Sequence, residues 1–343
     1  MKAKLVCWVA MAIALAACSG NEKSRLSYLG NEKSRLSDLP VVAHSVEMDG
    51  QEMIVCELGL LKDTINLPLS YWVEDFEAVK LDGRDEALVG QGPVYVSDNY
   101  ILVGRANNVP CKLFRRDGSY VGSVGSIGQG PGEYTMVYDM QIDEQAGRIY
   151  LLPWHDKSIF VYDMEGNYKR HFPNRAKEIV ILNDSLLLNY FQYNPGGPRY
   201  SVVRKSDGSE VKKLPIRFPT KLPQDSHGRM SYGSLITSPQ GAFMSNLGND
   251  TVFEIKRDDL SVRPRIIDKS DYPTTFAQAH PTLETSRYLI FYILRSHNYK
   301  PYVDQQFYIY DKKERQIYQM KDYDDNDYWV LMDDYPHVSN WEK

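Results

Sequence analysis

One unit recurs along the chain: a strand, a polar loop, a second strand, an Xaa-Gly turn and a third strand. Alternating apolar positions mark it at residues 94–104 with 112–125, at 148–153 with 158–172, and at 178–190 with 200–214. It returns at 241–246 with 250–267, and at 288–295 with 306–320. Asp117-Gly118, Glu165-Gly166 and Asp207-Gly208 sit between strands, where a short glycine hairpin matches strand twist. The three glycines follow one another at intervals of roughly 45 residues, a period that means a propeller or a solenoid and not a sandwich. Helical periodicity is nowhere sustained, which argues against an α/β solenoid. The 25 Tyr, 18 Pro and 23 Gly agree with an all-β chain, because aromatics favour strands and Gly and Pro favour turns.

Five such units are present, with two leftovers at residues 72–82 and 328–333. A ring that closes by completing one blade from both chain ends would use both. The expected fold is therefore a six-bladed β-propeller of four-stranded antiparallel blades, with N- and C-terminal strands in one composite blade. Five blades with decorated ends is the competing count.

The N-terminus reads as an address. Lys2 and Lys4 precede an apolar stretch, residues 5–14, too short to span a bilayer comfortably. It ends in Leu15-Ala16-Ala17-Cys18, which resembles the lipobox of bacterial lipoproteins. That resemblance implies removal of residues 1–17 and acylation of Cys18, palmitate included, which anchors a body to a membrane without spanning it. An ordinary signal peptide with a coincidental Cys is the alternative. Residues 18–40 contain a tandem decapeptide, 21–30 and 31–40, differing only at Tyr28/Asp38 and Gly30/Pro40. It is polar and short of core residues, so it reads as a tether. Residues 41–343 then form a single domain. Cys56 and Cys111 remain after export, and they form either a disulfide or two buried thiols. A net charge of −5 argues against a nucleic-acid-binding surface.

Residues 124–134 follow the first hairpin as Val-Gly-Ser-Ile-Gly-Gln-Gly-Pro-Gly-Glu-Tyr. A Gly-Pro-Gly-Glu-Tyr loop in that place resembles the six-bladed β-propeller lipoproteins of anaerobic Gram-negative gut bacteria, themselves distantly similar to NHL-repeat and TolB-like propellers. Residues 247–253 look like that family's Asn-Asp-Thr-hydrophobic-aromatic strand entry. Residues 321–329 resemble its late Asn-Asp-Xaa-Asp-Gly-Gly segment, with Lys321 for the Asn and Asp325-Asn326 for the Gly pair. The resemblance implies an exported propeller and no established activity.

In such a blade the loop between the second and third strands shares one face with the connection to the next blade. That places Arg105, Trp154, His155, Asp156, Tyr193, Arg199, Arg295 and His297 on one face, with Gln129, Glu133 and Tyr134 of the glycine-rich connection. Aromatic rings with amides and guanidinium groups suit glycans or peptides, which need stacking and directional hydrogen bonds. Solvated polar loops are the plain alternative. The glycine-rich connection lacks the Gly-Lys-Ser/Thr ending of a phosphate loop, and reads first as a tight turn. Trp154-His155-Asp156 offers a base beside a carboxylate, although adjacent residues rarely point together. Asp322, Asp324, Asn326 and Asp333 have an EF-hand-like spacing for calcium, but Asp327 stands where the required Gly should be.

The function expected from these features is an envelope-anchored binding or scaffold module, for a glycan or an envelope protein, at the outer membrane. No catalytic residue, resident cofactor or nucleic-acid partner is assigned. The alternative is an enzyme on the same scaffold: a glycoside hydrolase, polysaccharide lyase or lactonase-like hydrolase.

Overall fold

The computed structural model describes residues 43–48, 51–57, 78–90, 92–104, 108–154, 156–192, 198–214, 233–246, 251–269, 275–297 and 303–319. These residues are β-structure throughout, apart from one 3-10 turn at Asp85–Ala87. The first described element is a hairpin, β1 (Ala43–Met48) and β2 (Gln51–Cys56). Five four-stranded antiparallel units follow in sequence order, the fourth extended by the hairpin into a six-stranded sheet.

The first sheet is β3 (Val94–Val96), β4 (Tyr100–Val103), β5 (Cys111–Arg115) and β6 (Tyr120–Val124). A short parallel pair, β7 (Ser126–Ile127) and β8 (Glu133–Tyr134), leads onward. The second sheet is β9 (Val137–Asp143), β10 (Arg148–Pro153), β11 (Ser158–Tyr162) and β12 (Tyr168–Pro173). The third is β13 (Glu178–Ile181), β14 (Leu186–Tyr190), β15 (Tyr200–Arg204) and β16 (Glu210–Leu214). The fourth is β17 (Gly233–Ser238), β18 (Gly241–Asn246), β19 (Thr251–Lys256) and β20 (Val262–Asp268). The fifth is β21 (Thr275–Glu284), β22 (Tyr288–His297), β23 (Val303–Asp311) and β24 (Gln316–Gln319).

The first strands of successive sheets lie side by side: β3 against β9, β9 against β13, β13 against β17, and β17 against β21. Each sheet buries both faces, so an apolar cluster fills every interval. Leu102, Leu113, Met140 and Leu151 join the first and second sheets. Leu152, Val161, Leu187 and Val203 join the second and third. Leu188, Val202, Met244 and Ile255 join the third and fourth. Phe243, Ile266, Phe291 and Tyr308 join the fourth and fifth. The result is a propeller-like series of sheets around their first strands.

The repeat expected from the sequence is present, and each unit has four strands. β9, β17 and β21 are the members whose pattern carried no strand signal. The turns also differ from two-residue hairpins. After β5, the Gly118 amide donates to the Arg115 carbonyl (2.9 Å) and the Arg115 amide to Ser119 (2.8 Å), a longer turn with Gly118 at φ +86°. Asp117, Asp163, Asp207 and Asp259 each accept a backbone amide within their own turn.

These turns also join neighbouring sheets. A Cβ on Gly166 would lie 2.0 Å from the Ser123 carbonyl oxygen, at the end of β6. One on Gly208 would lie 3.0 Å from the Pro173 carbonyl oxygen, at the end of β12. Gly118 stands in the same relation to Lys80, at 2.1 Å. Three ion pairs accompany the joints, two of them between sheets and the Lys312 pair within the fifth. Lys205, beyond β15, meets Asp143 of β9 at 2.5 Å with both side chains buried. Arg265 of β20 and Lys312 both reach Glu284 of β21, at 2.8 and 2.7 Å.

Two features depart from the sequence reading. Residues 78–82 of the segment read as an early strand carry no strand, and 328–333 lie outside the described residues. The hairpin β1–β2, unforeseen, adds to the outer edge of the fourth sheet, with β2 parallel to β20. Ile54 and Cys56 enter the cluster between the fourth and fifth sheets. Cys56 and Cys111 are both buried, in different clusters and not bridged to each other. Each sulfur fills an apolar interval of its own, the arrangement of the buried-thiol alternative. Burial, then the nearby Asp268 carboxylate, pushes the Cys56 thiol well up, which keeps it unreactive.

Candidate functional site

Antiparallel order puts the β4–β5, β10–β11, β14–β15, β18–β19 and β22–β23 connections at the same end of their sheets as the links to the next sheet. Hydrogen bonds tie the connections together at this end of the first two sheets. The Asn108 amide donates to Thr135 (3.0 Å), Trp154 to Met136 (2.7 Å), and Asn174 to Lys157 (2.7 Å). This is the face expected to carry recognition.

Its best-defined feature is a ring stack. The Trp154 indole lies 4.5 Å from the Tyr138 ring, with 29° between planes. Both rings are half-buried, and Asp156 beside them is exposed. Phe191 and Tyr138 pack on the same apolar cluster, between the second and third sheets. Arg199 donates to the carbonyls of Phe191 and Gln192, so its guanidinium fastens its own loop. Arg295 and His297 end β22 at this same end, and only their backbone is described. Arg105, His155, Tyr193, Asp322, Asp324, Asn326, Asp333 and Cys18 lie outside the described residues.

The glycine-rich connection is bound inward. Glu133 Oε2 accepts the Gly130 amide (2.9 Å), and Oε1 accepts the Ser126 hydroxyl (3.3 Å). A Cβ on Gly128 would stand 2.0 Å from Glu133 Oε2, so that residue must be small for the carboxylate to fold back. The Tyr134 hydroxyl donates to Val124 (2.5 Å) and accepts the Cys111 amide (2.8 Å). Burial, then Cys111, pushes that phenol far up, so it stays neutral. On the far side Gly132 accepts the Tyr162 hydroxyl at 2.9 Å. Glu133 and Tyr134 therefore brace the first sheet against the second, and of the three candidates only Gln129 is exposed.

Sequence reasoning missed a line of buried and half-buried polar groups along the first strands. Asp139 accepts the Met140 and Ile179 amides (2.8 and 2.7 Å), and Glu178 accepts Leu235 (2.9 Å). Ser234 Oγ lies 3.1 Å from His280 Nδ1 and 2.8 Å from Ser245 Oγ. The imidazole stacks on Tyr292 at 4.9 Å, and burial lowers its pKa to about 3. Ser234, Ser245 and His280 are all buried, and this serine–histidine contact ties the fourth sheet to the fifth. Their spacing in the chain gave no signal, because the contact is made across sheets. Among the described residues no group of three His, Cys, Asp or Glu is placed to hold a metal ion. No described helix is long and apolar enough to cross a membrane.

A family model described as "Domain of unknown function (DUF4934)" matches residues 54–343. No curated protein matches the chain. Among solved structures, a "Putative exported protein" from Bacteroides fragilis NCTC 9343 is similar at 16% identity and a TM-score of 0.48, over 70% of this chain and 74% of that one. A DUF4221 family member from Bacteroides vulgatus ATCC 8482 is similar at 10% identity and a TM-score of 0.48, over 70% and 83%. The Cps50 (Swd1) β-propeller domain of Myceliophteria thermophila is similar at 9% identity and a TM-score of 0.36, over 66% and 84%.

Proposed function

Starting from the DUF4934 family, to which this chain belongs, we propose that the protein is a lipid-anchored, extracytoplasmic β-propeller that recognises a glycan on its loop face. The observation that carries this reading is the half-buried Tyr138–Trp154 stack on the face where the sheet connections converge. Aromatic rings with polar neighbours on a rigid scaffold suit a sugar, whose C–H face stacks while its hydroxyls hydrogen-bond. Loops held by a stiff β-framework are the usual carriers of recognition.

A sixth blade completes the ring in this reading. Two observations support it. The outward face of the first sheet is not bare, since Val79, Ala87, Val96, Ile101 and Phe114 form a buried cluster there. Lys80 meets Gly118 as the end of β6 meets Gly166. Residues 78–82 thus stand beside the first sheet on the side where a preceding blade would lie, and the reading assigns 328–333, which lie outside the described residues, to the same composite blade.

The anchor is the acylated Cys18, with residues 18–40 as tether and the outer membrane as the site. Two experiments test the whole. Cys18→Ala is expected to move the protein from the membrane to the soluble fraction of the producing cell, and unchanged fractionation refutes the anchor. Thermal unfolding of the chain against neutral and charged glycans, with and without calcium, is expected to show a raised Tm with one glycan class, because a ligand of the native state alone stabilises it. A rise with calcium alone would instead point to residues 322–333.

A further inference from the structure

The third sheet presents two buried polar side chains to the second. In the β14–β15 pairing Asn189 stands opposite Ser201, and Leu187 opposite Val203. Residues two apart on a strand share a face, as do paired residues. Leu187 and Val203 lie in the cluster with Tyr150, Leu152 and Ile159 of the second sheet. The alternate residues Leu188, Tyr190, Tyr200 and Val202 lie in the cluster shared with the fourth sheet. Asn189 and Ser201 therefore face the second sheet. Each is only 1% exposed, and neither Asn189 Oδ1 nor Ser201 Oγ has a hydrogen-bond partner. A buried polar atom without a partner costs free energy, and a native chain seldom keeps two opposite each other without a use for them.

Their position supplies the use. Tyr190 and Tyr200 form the last pair before the β14–β15 connection, so Asn189 and Ser201 lie one residue in from the loop face. Phe191 and Tyr138 border the same interval, with Trp154 stacked on Tyr138. Along the interval from its loop end, aromatic rings are thus followed by an amide oxygen and a hydroxyl. Neither inner group is charged. The nearby Asp139 carboxylate is engaged by two backbone amides, and Arg199 by two carbonyls.

We infer that the interval between the second and third sheets is a binding site for a neutral sugar residue. Asn189 and Ser201 hydrogen-bond its hydroxyls, and Trp154, Tyr138 and Phe191 flank its ring. An aromatic wall with uncharged hydrogen-bonding groups selects a neutral hexose over an acidic sugar, which needs a cation. This assignment rests on the glycan reading above and adds to it both the place and the class.

The experiment is titration calorimetry of the full chain with neutral oligosaccharides (maltoheptaose, cellohexaose, mannohexaose, chitohexaose), and with heparin and polygalacturonate as charged probes. One neutral series is expected to bind. Ser201→Ala and Asn189→Leu are each expected to weaken it at least tenfold while leaving Tm equal or raised, because each removes an unpartnered buried atom. A merely structural polar pair would show the opposite: lower Tm and unchanged Kd, as if the two atoms held a buried water. Neutral-sugar binding with unchanged Kd in both variants overturns the site and leaves the glycan reading standing. Binding of the charged probes alone overturns the class. Silence across all probes overturns the glycan reading and this inference together.

Discussion

His280 shows how one residue writes the pH dependence of the whole. Its imidazole is buried between the fourth and fifth sheets, and burial lowers its pKa to about 3. In the unfolded chain a histidine titrates near ~6.5, so below that pH the unfolded state binds a proton that the native state refuses. Stability must fall as pH drops from about 6.5 toward the folded value, by about 1.4 kcal/mol for each pH unit. His280→Gln removes the group and keeps a donor for Ser234. Urea unfolding at several values between pH 6.5 and 4.5 should give a steeper loss for the parent than for the variant, and parallel slopes would refute the assignment. Lys205 and Asp143 make a second residue-scale case. With both side chains buried at 2.5 Å, deleting one leaves the other charge uncompensated. Lys205→Met should cost about 3–5 kcal/mol, and the double change with Asp143→Leu should recover most of it in the same melts.

At the scale of elements, the hairpin turns are joints as well as bends. Gly166 adopts φ +83° and has the Ser123 carbonyl oxygen 2.0 Å from the place of a Cβ. Gly147 also has positive φ, +60°, but nothing lies within 4 Å of its Cβ position. Gly147→Ala should therefore cost only the backbone term, about 1–2 kcal/mol. Gly166→Ala adds the displacement of β6 and should cost at least ~2 kcal/mol more. Equal losses in chemical unfolding would show that the turn does not carry the joint. The same elements explain what could be read in advance. The second, third and fourth strands of each sheet alternate apolar and polar residues, or run apolar, and their turns bear Asp and Gly, so their periodicity was legible. The inner strands were harder. β9 buries Asp139, Gln141 and Asp143, β17 is rich in Ser and Gly, and β21 carries Pro281 at a bulge. Their polar groups answer to neighbouring sheets, which no local pattern records. The candidate site divides the same way. Trp154 could be singled out from the sequence, whereas Tyr138, Phe191, Asn189 and Ser201 gain meaning only from neighbours across a sheet or a sheet interval. Glu133 and Tyr134 read as ligand contacts in the sequence, and no local pattern shows the contacts they make with the Gly130 and Cys111 amides, the Val124 carbonyl and the Ser126 hydroxyl.

For the whole molecule, the decisive question is how a series of sheets ends. An open series leaves two terminal faces to solvent, and each would expose an apolar surface of the kind that every interior interval buries. The first sheet solves this with the segment carrying Val79 and Ala87, and the fourth and fifth sheets share a cluster reinforced by the β1–β2 hairpin. The hairpin reaches that interval from the N-terminal side, so the start of the domain is stapled beside its last described sheets. Closure through a composite blade would link the remaining faces and make unfolding a single event, since no blade could leave without exposing both neighbours. A chain ending at Gln319 tests this directly. If the ring closes through a sixth blade, loss of residues 320–343 should lower Tm, broaden the transition and raise binding of an apolar dye, because that blade would be left incomplete. A truncated chain with the parent's Tm and sharpness would mean that the series ends without a sixth blade, and that the cluster around Val79 is a lid over an open end.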